Sequence, residues 1–136
     1  MSSEQRETEL VTAAREVMRN SYAPYSRFRV GAALAAADGR VYLGCNVENA
    51  SFPAGLCAER SAVAAAVAAG TTRFDYLVLA SDGDVPTPPC GICRQVLVEF
   101  EPSLPILSVA NDGRSERWTL SELLAHPFTP RDLTPA

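Results

Sequence analysis

The dipeptide Asp38-Gly39, set between extended-looking runs at 29–37 and 40–48, is the feature that most narrows what this chain can fold into. Asp-Gly between apolar runs is the strongest short-range hairpin signal, because glycine takes the positive φ that a two-residue turn demands. After that hairpin the pattern alternates. Cys57 to Ala69 is made of strong helix formers and stops at Gly70, Tyr76 to Ala80 reads as a buried strand, and Gly91 to Glu101 is helical again. Pro105 to Val109 gives another strand. Asp112-Gly113 turns the chain into a short fifth strand through Trp118, and Thr119 with Glu122 marks a last short helix. Ahead of the hairpin, Leu10, Val11, Ala14, Val17 and Met18 recur at helical spacing behind Ser2 and Gln5, a capping-box pair. A hairpin followed by strands alternating with helices predicts an α/β fold, a three-layer α/β/α sandwich on a mixed five-stranded sheet. The alanine-rich stretches at 32–37 and 62–69 suit close packing of helix on sheet.

A chain of 136 residues is expected to form one domain over residues 1–136, with one core and one site. Its composition removes several chemistries. All 12 basic residues are arginine, so Schiff-base catalysis, pyridoxal phosphate attachment and a phosphate loop of the GxxxxGK type are excluded. The sole histidine, His126, rules out a zinc site of the HExxH type. Twelve basic against 16 acidic residues give a net charge of −4, which disfavours nucleic acid as a partner. The longest apolar run, Ala62 to Ala69, is too short to cross a membrane. The first ten residues are charged and polar, unlike a secretory signal, and a cytoplasmic protein acting on a small molecule is expected. In that compartment four cysteines read as metal ligands, catalytic thiols or core residues rather than disulfide partners.

Three of those cysteines stand at helix starts: Cys57-Ala58-Glu59 opens one predicted helix and Pro89-Cys90-Gly91-Ile92-Cys93 opens another. The positive end of a helix favours thiolates, and a CxxC turn brings two sulfurs to one side. Cys57, Cys90 and Cys93 therefore form a candidate zinc site with three protein ligands and one open position. An open position marks a catalytic zinc, where a bound water becomes acidic enough to attack as hydroxide. Glu59, two residues after the first ligand, is placed as a proton shuttle beside the metal rather than on it. This order, a Cys then x-Glu then Pro-Cys-x-x-Cys, is the pattern of the zinc deaminases.

The sequence resembles the small homotetrameric cytidine deaminases, and the resemblance covers nearly the whole chain. It is carried by Ala23-Pro24-Tyr25-Ser26-Arg27-Phe28, Val30-Gly31-Ala32-Ala33-Leu34, Gly44-Cys45-Asn46-Val47-Glu48-Asn49-Ala50, Cys57-Ala58-Glu59-Arg60 and Pro89-Cys90-Gly91-Ile92-Cys93-Arg94-Gln95. The resemblance implies hydrolytic deamination of cytidine and deoxycytidine in pyrimidine salvage, with one Zn²⁺ per subunit. It further implies that Asn46 and Glu48 bind ribose hydroxyls, that Phe28 packs on the pyrimidine, and that the Ala58 amide holds the base carbonyl. Arg60 and Arg94 are expected to donate to the ligand sulfurs. Phe128 is expected to reach a neighbouring subunit's site. Phe52 stands where some members carry tyrosine.

The residues support the sugar clamp independently. Asn46 and Glu48 lie two apart on a predicted strand, so their side chains share a face, and an amide with a carboxylate brackets a hydroxyl as donor and acceptor. Cys45 falls on the other face with Val41, Leu43 and Val47 and reads as a small buried hydrophobe rather than a fourth ligand. Two alternatives compete. A blasticidin-type aminonucleoside deaminase shares the zinc motifs and the size. A thiol oxidoreductase would use the CxxC alone, leaving Cys57 and Glu59 without a role.

Overall fold

The computed structural model describes residues 2–135. Helix α1 (Ser3–Met18) starts at the capping box, Ser2 Oγ accepting from the Gln5 amide at 3.2 Å and Gln5 Oε1 from the Ser2 amide at 2.8 Å. Strands β1 (Val30–Ala36) and β2 (Val41–Cys45) form the hairpin, with Gly39 at φ +85° in its turn. Antiparallel pairing runs from Gly31 opposite Cys45 to Ala35 opposite Val41. Helix α2 (Ala58–Ala68) leads to β3 (Phe74–Ser81), antiparallel to β1, and α3 (Gly91–Val98) leads to β4 (Pro105–Val109). β4 is parallel to β3, the one pairing here that needs a crossover helix. β5 (Ser115–Thr119) closes the far edge antiparallel to β4, followed by the short α4 (Leu120–Leu123). The sheet order is β2-β1-β3-β4-β5, the mixed five-stranded sheet that the alternation implies. No helix among the described residues is long and apolar enough to cross a membrane.

The strands of the sheet's centre are buried on both faces, as their near-continuous apolar runs require. On one face Ala32, Leu34, Leu77, Leu79 and Ile106 pack with Ala58, Ala62 and Ala66 of α2 and Leu97 of α3. On the other, Ala33, Ala35, Val78, Ala80 and Leu107 pack with Leu10 and Ala14 of α1. Two glycines set how closely the helices approach. A Cβ on Gly44 would lie 2.3 Å from the Ala58 carbonyl oxygen and 2.4 Å from the Ala62 nitrogen, and one on Gly31 would lie 2.0 Å from the Ala14 carbonyl oxygen. Only glycine lets β2 touch the first turn of α2, and that contact fixes where α2 begins.

Several boundaries differ from the sequence reading. The second strand ends at Cys45 rather than 48, because Val47 leaves the ladder to bridge Tyr22 on one side and Leu56 on the other. α3 ends at Val98 rather than Glu101, since the amides of Phe100 and Glu101 both turn back to the Leu97 carbonyl ahead of Pro102. The face carrying Cys45 is not a buried one. β2 is an edge strand only partly covered by α1, so Val41 and Leu43 remain about 40% exposed and Cys45 half-buried.

A polar clasp ties α1 to the far half of the sheet. Glu7 Oε2 accepts from Tyr76 Oη of β3 at 2.8 Å and from Arg117 Nη1 of β5 at 2.8 Å. The Arg117 hydrogen bond holds the Glu7 carboxyl below its ordinary 4.5. A lowered carboxylate pKa contributes stability above the unfolded value and loses it as pH falls through the folded one. Glu7→Gln is expected to cost about 1 kcal/mol at pH 7, the usual net worth of a partly exposed ion pair with hydrogen bonds. The deficit should shrink as pH falls below 4.5, which urea unfolding of both proteins at matched pH checks.

Candidate active site and metal centre

Cys57 is the N-cap of α2 and Cys90 the N-cap of α3, with Cys93 one turn into α3. Neither cap's sulfur accepts from a backbone N–H of its own helix, so neither takes the capping role a serine would take. The three Sγ atoms lie within 4.8 Å of one another, and Cys57 Sγ is 3.7 Å from Cys90 Sγ. Thiolates around a tetrahedral zinc at about 2.3 Å stand about 3.8 Å apart, so the donor set and its spacing fit Zn²⁺. Cys45 lies outside this group. A hydrogen bond from Cys93, with the Arg60 guanidinium, brings the Cys57 thiol down to about 5, while the same bond and burial push Cys93 up. Three touching sulfurs do not all ionise without a cation to hold them.

Glu59 occupies the first turn of α2 and is 5% exposed, the one buried carboxylate among the described residues. Burial pushes it up to about 7, with the charge on Cys57 adding to the effect and its own backbone amide opposing it. A carboxyl poised near neutrality suits repeated uptake and release of a proton. Arg60, a residue later, donates from Nη2 to Cys57 Sγ at 3.5 Å. Ala58, fully buried against Gly44, sits at the first helical position, where the backbone N–H has no intrahelical partner.

Cys57, Cys90, Ala58 and Glu59 line a cleft of about 260 Å³ whose walls also include Ser26, Phe28, Asn46, Glu48, Leu79, Thr87 and Pro88. The i, i+2 spacing brings Asn46 and Glu48 to the same cleft even though β2 stops short of them, since Val47's two bridges keep the backbone extended. Both side chains are already engaged. Asn46 Oδ1 accepts from the Val30 amide at 2.9 Å and Nδ2 donates to the Phe28 carbonyl at 2.8 Å. Glu48 Oε1 accepts from the amides of Tyr25 and Ser26, both at 3.0 Å. A larger hollow of about 390 Å³, lined by Tyr25, Phe52 and Asn49, lies beyond Ser26 and Glu48, but it contains neither the thiols nor Glu59.

Residues 4–107 match the family model for the cytidine and deoxycytidylate deaminase zinc-binding region. The chain belongs to that deaminase family. It is 40% identical over 126 residues to a cytidine deaminase of Sporosarcina psychrophila, covering 92% of this chain and 93% of that protein. It is 41% identical over 125 residues to one of Halalkalibacterium halodurans, covering 91% and 95%. The crystal structure of cytidine deaminase from Burkholderia pseudomallei superposes with a TM-score of 0.87 at 39% identity, covering 94% of this chain and 100% of that one. This deaminase is thus zinc-dependent, with Cys57, Cys90 and Cys93 as its metal-binding group. Dithiol exchange through the CxxC alone has no use for the third sulfur.

Two expectations need correction or completion. Arg94 does not donate to a sulfur: its Nε bonds the Pro89 carbonyl at 2.8 Å and its Nη1 the Leu123 carbonyl at 2.9 Å, so it ties the cysteine loop to α4. Phe128 does not cover its own core: it is 58% exposed, lies outside the cleft's lining, and is held only through its carbonyl, which accepts from Gln95 Nε2 at 2.7 Å. Thr87 and Pro88 were not among the sequence candidates. They reach the cleft because Ser108 Oγ donates to the Thr87 carbonyl at 2.7 Å and Ser81 Oγ meets Thr87 Oγ1 at 3.1 Å. A serine inside each of two apolar strands was the available signal, since a buried hydroxyl must find a partner.

One zinc per chain is expected in this deaminase, and Cys57→Ala is expected to lose it while Cys45→Ala keeps it. Elemental analysis of the purified proteins checks this; the reverse pattern would overturn the ligand assignment.

Proposed function

We propose that this deaminase converts cytidine and deoxycytidine to uridine and deoxyuridine, releasing ammonia. The observation that carries the reading is a buried carboxyl near neutral pKa, set beside three convergent sulfurs, in a cleft with an aromatic wall and a polar amide–carboxylate pair. Zinc at the three thiolates supplies the polarisation that makes water nucleophilic near neutral pH. Glu59 takes one proton of the attacking water and delivers it to N3 as the oxygen bonds to C4, then takes the remaining proton of that C4 hydroxyl and delivers it to the amine as C4=O forms and the C4–N4 bond breaks. The Ala58 N–H holds the base carbonyl, and Phe28 packs on the pyrimidine.

Asn46 retains one amide N–H after its two bonds to the loop, and the Glu48 carboxylate, which has about four acceptor positions, retains one after its three. One donor and one acceptor match a single sugar hydroxyl. That residue pair supports nucleosides over free cytosine, because both groups lose a partner when the sugar is missing. Glu59→Gln is expected to keep its zinc and bind cytidine, yet lose about 10²–10⁴-fold in kcat, the range of general acid–base catalysis. Absorbance assays on cytidine, deoxycytidine, cytosine, CMP and blasticidin S test the substrate class. Turnover of blasticidin S above the two nucleosides would favour the aminonucleoside alternative.

We further infer a homotetramer with shared sites, acting in the cytoplasm in pyrimidine salvage. Four unpaired cysteines suit a reducing compartment. Exposed Phe128, with the apolar surface of Val41, Leu43, Val47 and Phe52, supports burial against further copies of the chain. Phe128→Ala is expected to raise KM without loss of zinc, and mixed tetramers of Glu59→Gln with Phe128→Ala chains should exceed the weighted activity of their parents. A fully active monomer by light scattering would contradict this assembly.

A further inference from the structure

Glu48 is half-buried and leaves the sheet behind at Cys45, so nothing in β2 itself fixes where its carboxylate points. The order comes from the segment before β1. Arg27 adopts φ +57°, the left-handed region that non-glycine residues seldom enter. Beside that bend the Tyr25 and Ser26 amides donate to Glu48 Oε1 and the Ser26 hydroxyl donates to Glu48 Oε2. The same hydroxyl accepts from the Phe28 amide at 3.0 Å. Phe28 N–H, Ser26 O–H and the Glu48 carboxylate thus form one directed chain, from the aromatic wall of the cleft to its carboxylate. Ser26 is the first of the donors that hold Glu48 below the ordinary carboxylate value, which keeps it an acceptor.

We propose that Ser26 is a positioning residue for sugar recognition: its hydroxyl takes one oxygen of Glu48 and locks the carboxylate in the rotamer that leaves a single acceptor position facing the cleft. Without that bond Glu48 keeps the Tyr25 and Ser26 amides on Oε1 but loses the donor on Oε2, so that oxygen is free to turn and a hydroxyl ligand must order it on binding. Phe28 depends on Ser26 less, because Asn46 grips the Phe28 carbonyl and the Val30 amide from the other side. The loss therefore falls on the sugar and not on the base. The proposal rests on the reading that Glu48 binds a sugar hydroxyl.

The experiment uses the zinc-loaded enzyme with cytidine and with 2′,3′-dideoxycytidine, which lacks both ring hydroxyls. Ser26→Ala is expected to raise KM for cytidine about tenfold, at the low end for a hydrogen bond to a charged group, with kcat little changed. Its kcat/KM for dideoxycytidine should stay within about twofold, and the substitution should add less than about twofold once Glu48→Ala is present. Ser26→Thr, which keeps the hydroxyl, should restore cytidine binding; zinc content and the thermal midpoint should not move in either variant. Equal losses on both nucleosides, or additive losses in the double variant, would show a general structural role and overturn the proposal. If Glu48→Ala weakens cytidine and Ser26→Ala does not, this proposal alone falls. Should Glu48→Ala leave cytidine untouched, the sugar-clamp reading fails and takes the proposal with it.

Discussion

Three sulfurs from two helix starts occupy a space less than 5 Å across, and everything else in the structure is arranged to bring them there. Thiolates at that spacing repel, so all three ionise together only around a cation. The helix ends favour the charge on each sulfur, and Arg60 adds a donor to Cys57. What delivers the two helix ends to one point is the sheet. α2 is pressed onto β2 through Gly44, α3 enters through the crossover between parallel β3 and β4, and both lie on the same face.

The metal centre and the substrate cleft are built by different means. The first turns of α2 and α3, with Cys57 and Cys90 as N-caps and Cys93 within α3, place the three sulfurs. The cleft's outer wall is a loop held by side chains: Asn46 and Glu48 bind residues 25–30, and the buried hydroxyls of Ser81 and Ser108 bind the Thr87 segment opposite. Polar groups in such a wall shape the cleft, and under the proposed function their spare bonding capacity also reads what enters it. Rigid chemistry beside a polar, loop-built recognition surface lets one zinc centre serve different amino substrates as the wall changes.

Electrostatics divides the labour further. The deepest carboxylate, Glu59, is raised to about 7 by burial, whereas Glu48 at the cleft's rim is lowered by its donors. Two carboxylates lining the same cleft are thus shifted in opposite directions, which suits the proposed parts of proton exchange for one and acceptor for the other.

The sequence by itself determined the sheet, the helices and the chemistry of the centre. Asp38-Gly39 sets the hairpin because a tight turn needs positive φ, and Cys57-Ala58-Glu59 with Pro89-Cys90-Gly91-Ile92-Cys93 points to a three-thiolate site because all three thiols lie at the starts of two helices. Those signals are local, carried by backbone geometry and short spacing. Only the tertiary structure decided which strand faces are covered, leaving the edge face of Val41 and Leu43 half-open and Cys45 neither core nor ligand. It also sent Arg94 to the Pro89 and Leu123 carbonyls instead of a sulfur, and set the Ser26 hydroxyl against Glu48 across 22 residues. A side chain's partner in such cases lies on another element, and its direction follows from how those elements pack, which no short window of sequence contains.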